Sequence, residues 1–203
     1  MLHVRGAKHV PKHAFGVARR IQTRELDRLE ARGRLRAAMA VASVRLKAVT
    51  VTEERFRPFG QLVRPTHDGK PFDSQDARLN LSQGTPRFYI MRLPRRGMSF
   101  DRITYHEKVT QCLGGLGEKD WYMAVAKPSG NVENYPKEED LVAFRVPPGV
   151  FLKMEEGTWH AGPLFDNADH MDFYNLELSD TNVVDHNTHV YSEHGTTYTI
   201  VDE

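Results

Sequence analysis

An all-β barrel or sandwich is the fold class that the sequence predicts, on three observations. Short alternating or apolar runs recur from residue 43 to residue 201, separated by clusters of Gly, Pro, Asn and Asp, which is the text of a chain that keeps reversing. A single good helix signal interrupts them. The 203 residues are 39% hydrophobic, enough for one core, yet no apolar run reaches the length of a membrane-crossing helix, so a soluble domain is expected.

Taken in order, Val44, Leu46 and Ala48 alternate with Arg45 and Lys47, so residues 43–51 read as a half-buried strand. Thr52 then offers an N-cap, Glu53 and Glu54 an acidic first turn, Phe56 and Phe59 an inward face, and Gly60 a stop. That is a helix of one or two turns. Residues 65–86, rich in Asp, Gly, Ser, Gln and Pro, read as a long loop of the kind used for lids or partner contacts. Strands are predicted at 87–93, 100–106, 109–112, 120–126, 140–146, 150–154, 172–178, 189–192 and 197–201. Pro147-Pro148-Gly149 lacks two N–H groups and favours a positive φ, which demands a tight turn and predicts a hairpin joining 140–146 to 150–154.

The net charge of +1 hides an asymmetry. Residues 1–38 hold ten Lys/Arg against three acids, while the remainder holds 18 basic and 24 acidic residues. A mildly acidic domain is not the footprint of a nucleic-acid binder. The basic head, with no acid before Glu25, has the spaced arginines of an organellar transit segment but no serine, and Met39 directly follows it. Three readings stay open: a processed address, a dispensable extension before a domain of residues 39–203, or a functional arm. The expected location is accordingly cytoplasmic or organellar. Cys112 is the single cysteine, which leaves no intrachain disulfide and no Cys cluster for zinc.

Chemistry is expected where strands bring histidines toward one interior. His106-Glu107 closes the 100–106 strand and Gln111 follows, so an imidazole and an amide would share a cavity if the chain turns tightly between them. On composition alone, Glu107 reads as a surface acid beside a turn. The run from Gly149 through Lys153, Glu155, Gly157 and Trp159 to His160 is more specific: strand, glycine turn, then a histidine held on a returning strand. The alternative for Trp159-His160 is aromatic packing around a buried, hydrogen-bonded histidine. His186 and His189 lie three apart in a loop or strand context, a spacing that points them away from each other.

The 149–160 spacing resembles the second motif of the cupin superfamily, with Glu155 in place of its proline and Leu164 in place of its asparagine. The first cupin motif is present in part: His106 has Lys108 where a second histidine would stand. Over roughly residues 44–200 the chain resembles the ureidoglycolate lyase (ureidoglycolate hydrolase) family. The resemblance is carried by Phe56-x-x-Phe59-Gly60, Arg92, His106-Glu107, and Trp159-His160 followed by Pro163-Leu164-Phe165. Two departures mark a divergent branch. Ala161-Gly162 make the Trp-His-x-Pro-Leu-Phe segment one residue longer, and an arginine after the late strand is missing, with 178–182 in that place.

The resemblance implies a cupin-like jelly-roll β-barrel, a homodimer, and cleavage of ureidoglycolate to glyoxylate and urea late in purine and allantoin catabolism. That reaction needs a base for the hydroxyl proton, an acid for the leaving nitrogen and a cation for the carboxylate. His106 and His160 are the expected acid–base pair, Glu155 the expected holder of a histidine tautomer, and Arg92, then Lys153, the expected carboxylate partners, with Gln111 and Trp159 also in the site. No metal or other cofactor is expected, because the motif positions supply too few donors and the proton transfers do not demand one. A metal-dependent cupin oxygenase or isomerase acting on a small acid, and a non-catalytic cupin that only binds, are the rival readings.

Overall fold

The computed structural model describes residues 42–202; the basic head, 1–38, and the expectations placed on it lie outside the described residues. The strands are β1 (Ala42–Thr50), β2 (Gly60–Val63), β3 (Pro86–Pro94), β4 (Ser99–Phe100), β5 (Arg102–Tyr105), β6 (Gln111–Leu116), β7 (Trp121–Ala126), β8 (Val142–Val146), β9 (Phe151–Met154), β10 (Trp159–Leu164), β11 (His170–Leu178), β12 (Asn187–Val190) and β13 (Thr196–Val201). Two short α-helices, α1 (Glu53–Phe56) and α2 (Thr181–Val184), and three 3₁₀ turns (Val132–Asn134, Glu138–Asp140 and Tyr191–His194) punctuate them. The protein is mainly β. Eight strands form a mixed sheet, ordered β12-β5-β10-β7-β8-β1-β13-β4 and curled into a half-barrel, and five form an antiparallel sheet, ordered β2-β9-β6-β11-β3. β1 runs parallel to both β8 and β13, while the remaining pairs are antiparallel.

Strand β7 shows how the layers are built, because all six of its residues are buried. Trp121, Met123 and Val125 pack with Leu113, Leu152, Met154 and Phe173 of the five-stranded sheet, forming the core between the sheets. Tyr122, Ala124 and Ala126 face the opposite way, into a second cluster with Ala48, Ala143, Trp159 and Ala161. The alanines follow from the curl: a concave face crowds side chains, and small ones admit close approach at native packing density. Helix α1 is capped as expected, with the Thr52 side chain accepting the Arg55 N–H at 3.3 Å, and it delivers Phe56 edge-on to Phe144 at 5.6 Å.

One expectation fails on pairing. Residues 147–149 do turn tightly, with Gly149 at φ +73°, but β8 pairs with β7 and β1 whereas β9 pairs with β2 and β6. The turn carries the chain from one sheet to the other and closes no hairpin. Strand β2, unpredicted, pairs antiparallel with β9, and its first residue must be glycine because a Cβ at Gly60 would collide with the Lys153 carbonyl oxygen. Residues 65–85 contain no helix or strand and lie against β2, where Gln61 donates to the Asp76 carbonyl and accepts the Arg78 N–H.

Candidate active site

Along β11 the inward positions change character. Met171 and Phe173 enter the core, and the next two residues of the same parity, Asn175 and Glu177, are polar yet buried. Together with Tyr89 and Met91 of β3 and Gln111 of β6 they form one wall of a cavity of about 530 Å³. The facing wall comes from the eight-stranded sheet: Thr104 of β5, His106 just beyond it, and His160 of β10, with Asn182 of α2 and His186 also lining the space. The segment around β4 adds Arg96, Asp101 and Arg102 to the lining.

Both histidines are fixed by backbone carbonyls. His106 Nδ1 lies 2.5 Å from the Asp185 carbonyl and His160 Nδ1 lies 3.1 Å from that of Thr158. A carbonyl can only accept, so each Nδ1 carries the proton and each Nε2 of the neutral ring presents a lone pair. The ring centroids are 5.1 Å apart. Burial pushes the His106 pKa below its ordinary value, and burial followed by the charge of His106 pushes His160 down to about 3. At neutral pH the site therefore holds two uncharged imidazoles.

Asp185 sets the turn that aims His106. Its carboxylate accepts the Glu107 N–H at 2.9 Å and the Lys108 N–H at 2.8 Å, and it also takes the Asn187 amide at 3.2 Å. Thr158 does comparable work for His160, anchoring its hydroxyl to the Phe59 carbonyl at 3.0 Å. On the other wall Glu177, 1% exposed, accepts from Tyr89 Oη at 3.2 Å, Gln111 Nε2 at 3.0 Å, Asn175 Nδ2 at 3.2 Å and Asn182 Nδ2 at 3.2 Å. Burial, then the Glu177 charge, raises the Tyr89 pKa, which keeps the phenol a donor. The Gln111 amide spends its N–H groups on Asn175 Oδ1 and Glu177, and its Oε1 is buried without a partner.

Of the residues expected in the site, His106, His160 and Gln111 converge here, and four do not line the cavity. Arg92 lies between the inward Met91 and Leu93, so strand alternation turns it outward; its side chain is 67% exposed and binds Asp172 through two 2.8 Å hydrogen bonds. Lys153 is outward on β9, between the core residues Leu152 and Met154, and is buried with its ammonium on Glu155. Glu155 is thus committed to Lys153, and carbonyls rather than a carboxylate hold the histidine tautomers. Trp159 packs inside the curl against Tyr105, with its indole N–H on Ser129 Oγ at 2.9 Å. Cys112 is no nucleophile, since burial pushes its thiol up to about 11.

Asn175, Glu177, Asn182, Asp185 and His186 were missed as site residues. The readable signal was polarity at inward parity: the alternation that buries Met171 and Phe173 also buries Asn175 and Glu177. The two residues Ala161-Gly162, which lengthen the Trp-His segment, have a structural counterpart. Between Ala161 and Leu164 the β10–β7 register slips by one residue, a β-bulge at which Gly162 has φ +136° and a Cβ would stand 2.9 Å from the Tyr122 carbonyl. Gly162 and Pro163 of the bulge line the cavity. No protein-family model matches this chain, and no curated protein matches it.

Proposed function

We propose that this protein is a cupin-like carbon–nitrogen lyase that cleaves ureidoglycolate to glyoxylate and urea, in allantoin and purine catabolism. The observation that carries the reading is the pair of fixed, neutral imidazoles, His106 and His160, lining one cavity. His106 accepts the substrate hydroxyl proton at Nε2 as the carbonyl forms, the C–N bond breaks, and the same proton passes to the leaving ureido nitrogen. One imidazole suffices because the reaction moves one proton from oxygen to nitrogen. His160, with its pKa near 3, is too weak a base for that step and serves as a hydrogen-bond acceptor for a substrate N–H or O–H. Arg96, which has no ion pair among the described residues, takes the carboxylate role first expected of Arg92. Two facing sheets with a curled larger one support the jelly-roll reading. The homodimer reading is supported by β3, an edge strand of nine residues whose Phe88 and Ile90 are exposed, with Phe88 stacked on Tyr174 at 5.5 Å.

The test is incubation of the purified protein with ureidoglycolate and assay of glyoxylate and urea. Release of both in equal amounts supports the proposal, and ligand-induced stabilisation without turnover would instead favour a binding module. The second reading, a metal-dependent cupin oxygenase or isomerase, is favoured by the two histidines together with His186, whose ring centroid lies 5.9 Å from that of His106. The donor set does not fit it: among the described residues no three His, Cys, Asp or Glu side chains are grouped to hold a metal ion. Turnover that is abolished by dialysis against a chelator and restored by one metal would make it the better reading.

A further inference from the structure

The free edge of the five-stranded sheet carries a pattern in its backbone. Strand β3 ends the sheet order, with β11 on one side and no strand among the described residues on the other. The bonds that continue its register show which backbone groups face which way. Arg95 N–H donates to the Asp169 carbonyl and Ser179 N–H to the Thr85 carbonyl, so the odd-numbered residues of β3 bond to β11. The even-numbered residues Phe88, Ile90 and Arg92 therefore aim N–H and C=O at the open edge. Pro86 and Pro94, of the same parity, have no N–H to offer. The free donors of the edge are thus bracketed by prolines at equal distances from Ile90.

An edge so bounded is complementary to itself. When a second β3 runs antiparallel about a two-fold axis at Ile90, Ile90 faces the partner's Ile90 and Phe88 faces the partner's Arg92. Each of the three residues then exchanges both its N–H and its C=O. Each proline falls opposite a proline, where neither has a donor to lose. A slip of two residues, the smallest that keeps the edge groups facing, sets a proline against Phe88 or Arg92 and leaves a carbonyl without a donor. The side chains suit the same register. On the outer face Phe88, 67% exposed, continues a row of rings from Phe151 and Tyr174, 5.5 Å apart at each step, and Ile90, 57% exposed, stands beside it. Arg92, its fork on Asp172, keeps a guanidinium face for the partner's Phe88. Arg87 meets the partner's Leu93, so no two arginines are opposed.

We propose that two copies of this chain pair through β3 about a two-fold axis at Ile90, joining their five-stranded sheets into one. On the inner face Tyr89 and Met91 line the cavity, and in this register Tyr89 lies opposite the partner's Met91. Each copy thus buttresses the other's cavity wall. This pairing rests on the homodimer reading above and gives it a face and a register.

The experiment is sedimentation equilibrium on the full chain, with disulfide trapping in a Cys112→Ser background. A dimer is expected, and Ile90→Cys should oxidise to a covalent dimer, because Cα atoms of a hydrogen-bonded antiparallel pair stand about 5.5 Å apart, within disulfide reach. Phe88→Cys and Arg92→Cys should trap poorly alone and well when combined. Phe72→Cys, at a site 80% exposed, measures chance collision and should trap at least tenfold more slowly than Ile90→Cys. Ile90→Pro removes no bond to β11 and should weaken the dimer about tenfold or more with an unchanged circular dichroism spectrum; should it not fold, trapping carries the test. A dimer in which Ile90→Cys traps no faster than Phe72→Cys would overturn the face and register and leave the homodimer reading intact. A folded Ile90→Pro variant that dimerises as tightly as the wild type would do the same. A monomeric full chain would overturn both, and a dimer that appears only on deleting residues 1–38 would make the head the occupant of the edge.

Discussion

Acidification should destabilise this fold through His160. The side chain titrates near 6.5 in an unfolded chain and near 3 in the cavity wall, because burial and the adjacent His106 oppose a second charge. Between those values the unfolded chain binds a proton that the fold refuses, so the contribution is fully present above pH 6.5 and is lost as the pH falls toward 3. At pH 5 the loss from this one residue is about 2 kcal/mol, from one and a half decades of pH at roughly 1.4 kcal/mol each. For a domain of this size that lowers the melting temperature by roughly 4–8 °C. The assay is urea unfolding at pH 7.5 and pH 5.0 for the wild type and His160→Gln. The wild type should lose the stated amount more than the variant, with His106 contributing a residual loss of the same sign to both. Equal losses would show that His160 is readily protonated in the fold, and the neutral-imidazole account of the site would fall with it.

Three more outcomes are expected. His106→Asn should lower kcat for ureidoglycolate by about 10² or more with an unchanged circular dichroism spectrum; near-normal turnover would remove His106 from the mechanism. Arg96→Ala should raise KM about tenfold while Arg92→Ala leaves both constants unchanged, since Arg92 is spent on Asp172 outside the cavity; the reverse result would mean that the carboxylate binds elsewhere. Asp185→Ala removes the acceptor of two backbone N–H groups and should cost about 1–3 kcal/mol in denaturant unfolding, with a drop in kcat larger than the change in KM as His106 loses its aim.

Local signals were legible wherever one face of an element meets one environment. The alternation around Val44–Ala48 and the Thr52 cap act within a few residues, and both have structural counterparts in β1 and α1. What a turn joins is another matter: Pro147-Pro148-Gly149 encodes a reversal, but whether the next strand stays in the same sheet depends on partners scores of residues away. A related limit applies to the arginines and the cavity. Arg92 sits between apolar Met91 and Leu93, so its own alternation already placed it outside, whereas Arg96 comes from a connector with no period to read. Glu177 was hidden for the opposite reason. A polar residue at inward parity looks like a break in the pattern until the facing wall supplies Tyr89, Gln111 and Asn175 to satisfy it.

The bulge in β10 separates two properties that most changes in a β-protein alter together. Trp159 and Ala161 before it, and Leu164 after it, all pack inside the curl, and Phe165 enters the core between the sheets. The added residue is taken up where Gly162 and Pro163 line the cavity, so the sidedness of every flanking core residue is what an uninterrupted strand one residue shorter would give. Chain length here thus acts as an adjustment of pocket contour that leaves the hydrophobic layers in register. Related sequences with and without the extra residue would share an interior and differ in the molecules they admit, and a one-residue deletion at Gly162 is a route to altered selectivity that needs no compensating change in the core.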